Sequence, residues 1–120
     1  MQILGIGTDI VEIERIKDIC RRLPGFEPRI FIQAELEYCR PKAGRYSHLA
    51  ARFAAKEAVA KALGSSFSWH DVEIYSEPSG KPAVRLHGRA KEAAGNSRVF
   101  LSISHSRDYA TAVAVLARVA

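Results

Sequence analysis

The stretch YSHLAARFAAKEAVAKALG, residues 46–64, decides the fold. It reads as one long helix from about Tyr46 to Leu63, stopped by Gly64, with Leu49, Phe53, Ala54 and Leu63 turned toward a core. Before it the chain is one strand and short helices. Gln2 to Ile10 alternates apolar residues with Gly5 and Gly7, a strand that two glycines would weaken unless another element approaches its backbone closely. From Ile13, the residues Ile16, Ile19, Cys20 and Leu23 recur at helical spacing until Pro24-Gly25, and Gln33 to Cys39 is a short helix closed by Pro41. After the long helix the chain turns to strands. Val72–Ser76 and Ala83–Leu86 flank the turn Glu77-Pro78-Ser79-Gly80-Lys81-Pro82, Gly88–Ala94 is a short alanine-rich helix, and Val99 to Ser104 alternates as a strand. Tyr109 to Val119 is nearly all apolar, which predicts burial on both faces. A strand, then helices, then mostly strands predicts an α+β domain and argues against a regular βαβ repeat.

The chain has 120 residues, 48% apolar and 26% charged, the size and composition of one domain spanning 1–120. No apolar run approaches the roughly 20 residues of a membrane span, and the N-terminus lacks a secretory pattern, so no membrane contact and a cytoplasmic location are expected. Cys20 and Cys39 have neither metal-ligand spacing nor the density of a disulfide scaffold, and read as small buried residues in a reducing compartment. The formal net charge is +5, which predicts attraction to polyanions such as phosphorylated cofactors, nucleic acid or an acidic protein. The excess is concentrated in two places. Residues 40–61 hold Arg40, Lys42, Arg45, Arg52, Lys56 and Lys61 against Glu57 alone, and residues 15–22 hold Arg15, Lys17, Arg21 and Arg22 against Asp18.

Several chemistries are excluded. Gly5-Ile6-Gly7 lacks the third glycine of a dinucleotide fingerprint, and no P-loop, nucleophile elbow or zinc-spaced histidine pair is present. Three places remain. Asp9 emerges from a glycine-containing strand just before a helix, where a carboxylate either caps the helix or ligates a hard cation such as Mg2+. Glu57 and Lys61 stand four apart in the favourable order of a helical ion pair. Arg52 and Lys56, also four apart, repel, so the helix gathers three cations around one carboxylate with no acidic partner to offset them. A polyphosphate with a divalent metal would neutralise that cluster. Ser102-Ile103-Ser104-His105-Ser106 ends a strand with hydroxyls and an imidazole, which act either as turn structure or as donors to phosphate.

Taken together, Ile6-Gly7-Thr8-Asp9, Phe53-Ala54-Ala55-Lys56-Glu57-Ala58-Val59-Ala60-Lys61, Gly80-Lys81-Pro82 and Ser102-Ile103-Ser104-His105-Ser106 resemble the motifs of the bacterial holo-acyl-carrier-protein synthases. These are the short class of 4′-phosphopantetheinyl transferases, and the likeness covers roughly Leu4 to Ala114. The resemblance implies that family's fold, a mainly antiparallel sheet packed against one long helix and shorter helices. It implies transfer of the phosphopantetheine arm of coenzyme A to a serine of acyl carrier protein, releasing 3′,5′-ADP, in fatty acid biosynthesis. Asp9 and Glu57 are then expected to hold Mg2+, or Mn2+ in its place, and Lys61 to stabilise phosphoryl charge. Arg52, Lys56, Lys61, Gly80, Lys81, Pro82, Ser104, His105 and Ser106 are expected at coenzyme A. For the base, a metal-bound water, Glu57 and His105 stay open. Arg15, Arg21 and Arg22 are expected to dock the acidic carrier, and the short length implies a homotrimer with sites at subunit interfaces. Gly64-Ser65-Ser66 departs from the Gly-x-Gly of many members. The competing readings are a small basic nucleic-acid-binding domain, which would use the charge but neither carboxylate, and the same transferase serving a polyketide or peptide-synthesis carrier.

Overall fold

The computed structural model describes residues 1–119; residue 120, the last of the expected domain, lies outside the described residues. The elements run β1 (Gln2–Glu12), α1 (Ile13–Arg22), α2 (Phe26–Ile30), α3 (Gln33–Cys39), α4 (Arg45–Leu63), a 3-10 turn (Trp69–Asp71), β2 (Val72–Ser76), β3 (Pro82–Leu86), α5 (Gly88–Ala94), β4 (Arg98–His105) and β5 (Tyr109–Arg118). The architecture is α+β. β5 lies between β1 and β4 in an antiparallel sheet, and β2 and β3 form a separate hairpin.

The sheet packs on α4 at unusually close range. The helix turns the small residues Ala51, Ala54, Ala55, Ala58 and Ala62 inward, all buried. A Cβ added at Gly5 would stand 2.0 Å from the Ala62 carbonyl oxygen, and one at Gly7 would stand 1.9 Å from that of Ala58. The β1 backbone therefore lies directly on α4, the close approach that the two glycines of the strand call for. On the same side β5 contributes the buried Ala110, Ala112, Ala114 and Leu116.

The other face of the sheet is not covered by the described residues, which corrects the expectation that β5 is buried on both faces. Val113 of β5 is 37% exposed, beside Ile6 at 63%, Ile10 at 62% and Phe100 at 42%. The register sets Ile6, Val115 and Phe100 in one cross-strand row and Thr8, Val113 and Ser102 in the next. The apolarity of β5 is real, but only the α4 side is filled. Leu23 is likewise exposed instead of extending the α1 stripe, because the backbone leaves helical geometry there and only Ile13, Ile16 and Cys20 are buried.

Candidate functional site

Because β1 rests on α4, Asp9, two residues beyond Gly7 on the same face of the strand, is carried to the side of the helix that bears Glu57 and Lys61. The Lys61 ammonium donates to the Thr8 carbonyl at 2.9 Å and stands 3.5 Å from Asp9 Oδ1. Lys61 thus turns to β1 instead of pairing with Glu57 along the helix. Burial raises the Glu57 pKa above its ordinary value, the charge of Asp9 raises it further, and Lys61 counters both. Two carboxylates close enough to repel, one of them partly desolvated, form a site that a cation would relieve.

The donor set decides which cation. Among the described residues no three of His, Cys, Asp and Glu gather into a group that could hold a metal alone. A pair of carboxylates suits a hard ion that keeps its waters and shares a phosphate, which describes Mg2+ or Mn2+ on a polyphosphate. Two clefts meet at Lys61 and leave room for such a ligand. One, of about 610 Å³, lies between α4 and the connection after it and is lined by Lys56, Glu57, Gly64, Ser66 and Trp69. The other, of about 580 Å³, opens on the uncovered sheet face and is lined by Asp9, Ser102, Ser104, Thr111 and Val113.

The remaining expected residues fall elsewhere. Arg52 and His105 belong to a second group on another side of α4. The His105 ring lies 6.3 Å from that of His48, His48 meets the Tyr38 ring edge-on at 5.9 Å, and the Arg52 guanidinium lies 4.1 Å over Tyr38. Burial, then the charges of Arg52, Lys42 and His105, hold His48 below its ordinary pKa. A hydrogen bond with Ser76 and the cations Arg52 and Lys42 lower the Tyr38 pKa. Arg52 donates to Ser76 Oγ at 3.3 Å, but its buried Nε has no partner among the described residues, so the group holds an unspent donor among cations. Tyr38 and His48 were not read as site residues from the sequence, and Lys42 was read only as part of a basic stretch; the signal for His48 was its place one helical turn before Arg52.

Gly80 takes a positive φ of 91° in the β2–β3 turn, which is closed by Gly80 N–H to Glu77 O at 2.7 Å. Lys81 and Pro82 line a third cavity of about 420 Å³ with Arg98 and Phe100, apart from Asp9 and Glu57. Ser106 is engaged locally: its Oγ accepts from Tyr109 N–H at 3.3 Å in the β4–β5 turn. Arg15, Arg21 and Arg22 are exposed on α1. Their basic face continues onto α4, where Lys17, Arg21 and Arg45 stand 5.9, 6.0 and 4.9 Å from the Tyr46 ring centre.

Lys56 requires a correction. Instead of a cation without an acidic partner, it is a core residue, its side chain 1% exposed and paired at 2.9 Å with Glu35, itself 0% exposed. Asp9 likewise offsets Lys61. Both acids come from segments distant in sequence, which the helix pattern does not reveal.

A family model described as the 4′-phosphopantetheinyl transferase superfamily matches residues 5–114. The holo-[acyl-carrier-protein] synthase of Caldanaerobacter subterraneus subsp. tengcongensis is 48% identical over 116 residues, covering 92% of this chain and 91% of that protein. The crystal structure of the holo-ACP synthase from Plasmodium yoelii superposes with a TM-score of 0.86 at 34% identity, covering 98% of this chain and 97% of the other. That of the Bacillus anthracis holo-(acyl-carrier-protein) synthase, in complex with CoA (3′,5′-ADP), superposes with a TM-score of 0.84 at 34% identity, covering 99% and 100%.

Proposed function

Because the chain belongs to the 4′-phosphopantetheinyl transferase superfamily, among the holo-[acyl-carrier-protein] synthases, we propose that it transfers the phosphopantetheine arm of coenzyme A to apo acyl carrier protein. The reaction uses Mg2+, releases 3′,5′-ADP and serves fatty acid synthesis. The observation that carries this reading is the convergence of Asp9, Glu57 and Lys61 where two clefts meet.

Asp9 and Glu57 would hold the divalent ion against the diphosphate of coenzyme A. When bound, the ion polarises the phosphorus under attack and offsets charge on the leaving phosphate. The serine hydroxyl of the carrier forms the new oxygen–phosphorus bond, and the bond from that phosphorus to the bridging oxygen of 3′,5′-ADP breaks. Lys61, already fixed by the Thr8 carbonyl, supplies a compact positive charge for the oxygens that gain charge in this step. On this chain Glu57 and His105 are the candidates to take the serine proton.

Arg52 and His105 would give the phosphates of coenzyme A a second contact, and Gly80, Lys81 and Pro82 a third surface. The hairpin lies apart from Asp9 and Glu57 within one chain, and an apolar sheet face lies open beside the second cleft. Both observations support a homotrimer in which neighbours complete each other's sites. The basic face from Arg15 to Arg45 suits an acidic carrier, and it would bind more weakly as salt rises. Two buried free thiols, raised to about 12 for Cys20 and about 11 for Cys39, suit a reducing cytoplasm. The nucleic-acid reading has no support here, since Phe53 is stacked on Trp69 at 5.2 Å inside the fold.

The test is product release. Purified protein with apo carrier and coenzyme A should liberate 3′,5′-ADP only when a divalent ion is present, and Asp9→Ala should abolish release. Release without carrier, or release that persists under chelation, would contradict the mechanism.

A further inference from the structure

The buried pair of Lys56 and Glu35 is wired to one particular part of the molecule. The Lys56 ammonium has three donors, and the structure spends each of them: on Glu35 Oε1 at 2.9 Å, on the Trp69 carbonyl at 2.9 Å and on the Val72 carbonyl at 2.5 Å. Glu35 is equally committed. Its Oε1 also accepts from the Ile32 N–H at the start of α3, and its Oε2 accepts from the Ile74 N–H in β2, each at 2.9 Å. One ion pair thus joins α3, α4, the 3-10 turn and β2.

Between Gly64 and the 3-10 turn, residues 65–68 have no regular secondary structure and form the far wall of the cleft that holds Glu57 and Lys61. The near end of this wall is fixed by the α4 cap, where Gly64 N–H reaches the Ala60 carbonyl at 3.0 Å. The far end is where Lys56 grips, helped by the Trp69 ring on Phe53 and by His70 Nε2 at 2.8 Å from the Pro28 carbonyl. Lys56 itself projects from α4 one residue before Glu57. The length of its side chain therefore sets the distance from the helix to the opposite wall.

We propose that Lys56 and Glu35 are positioning residues of the transferase: without touching substrate, they fix the span between α4 and residues 65–72 that receives coenzyme A beside Glu57 and Lys61. This inference rests on the coenzyme A reading of the cleft. It assigns Lys56 a role different from the phosphate contact expected of it, and it gives Glu35 a role in the reaction. A pair that served stability alone would have no reason to affect one substrate more than the other.

The experiment compares wild-type protein with Glu35→Gln, which keeps the acceptor oxygen, and with the charge-neutral double variant Lys56→Met with Glu35→Gln, which leaves neither charge orphaned. Two readouts are taken on folded protein: hydrogen exchange of residues 64–72, measured without ligand, and the KM values for coenzyme A and for the carrier. The expected result is faster exchange at 64–72, besides that of the Ile32 and Ile74 amides that Glu35 itself accepts from, and a roughly tenfold or greater rise in the coenzyme A KM, with the carrier KM within about twofold of wild type. If the double variant does not fold, Glu35→Gln decides the matter with a smaller shift in the same direction. Unchanged exchange at 64–72 overturns the latch. Faster exchange with both KM values unchanged, or both raised equally, overturns its role in the reaction. A wild-type protein that neither binds nor consumes coenzyme A overturns the functional reading instead.

Discussion

Replacing Gly7 by alanine tests how the site is assembled. The added Cβ would stand 1.9 Å from the Ala58 carbonyl oxygen and 2.8 Å from the Ala62 nitrogen, where ordinary contact begins at 3.4 Å. Both obstacles are helix backbone, so β1 must retreat from α4 by about 1.5 Å, the difference between 3.4 and 1.9 Å. Such overpacking costs about 1–3 kcal/mol, and at roughly 4 °C per kcal/mol Tm should fall by about 4–12 °C. The larger effect falls on chemistry. Asp9 rides on the displaced strand while Glu57 and Lys61 stay with the helix, and a displacement near 1 Å costs a catalytic constellation about 100-fold. Transfer measured at 20 °C, with folding verified by circular dichroism, should therefore drop by about two orders of magnitude. Gly25→Ala is the control: φ there is −83° and no atom lies within 4 Å of the added carbon, so both properties should hold. A Gly7→Ala protein that melts and turns over like wild type would refute the packing argument.

Further outcomes are expected. Lys61→Met should lower kcat by about 100- to 1,000-fold in steady-state assays, with the circular dichroism spectrum unchanged because the side chain is half exposed. The pKa of Glu57 is raised above 4.5, so protons displace the divalent ion at a higher pH than at an ordinary glutamate. Calorimetric Mg2+ affinity in the presence of coenzyme A should fall as pH drops through that raised value, and Asp9→Asn should shift the Glu57 titration downward. The same raised pKa means that the folded state holds this proton more tightly than the unfolded chain, so this group's contribution to stability declines as pH rises from 4.5. Val113→Asp, placed on the open sheet face, should convert a trimer to monomers by light scattering and abolish transfer; a monomeric variant with full activity would disprove shared sites.

Local signals carried much of this structure. Gly64 stops α4 where the sequence places the stop, with φ at 81° and its N–H on the Ala60 carbonyl. The two glycines of β1 announced a close neighbour, and the neighbour is the alanine face of α4. Asp9 was picked out by its place at the end of the glycine-containing strand, and Glu57 and Lys61 by their spacing on the long helix and by the motif they stand in. Contacts between distant segments were not. Nothing near Lys56 in sequence points to Glu35 on another helix, so a core ion pair read as a cation without an acidic partner. The helix α2 was missed because Pro24-Gly25 reads as the end of a helix and the five residues that follow are too few to show a helical period; Pro28, its third residue, stands in the first turn, where a missing N–H costs nothing. The apolar run of β5 indicated burial on both faces, but a sequence does not say whether its own chain supplies the cover.

The most direct test of the central claim is the intact mass of apo acyl carrier protein after incubation with this protein, coenzyme A and Mg2+. The account predicts a gain of one phosphopantetheine per carrier, lost on chelation and lost with Asp9→Ala or Glu57→Gln. No mass gain with wild-type protein, or a gain that survives both chelation and removal of either carboxylate, would contradict it.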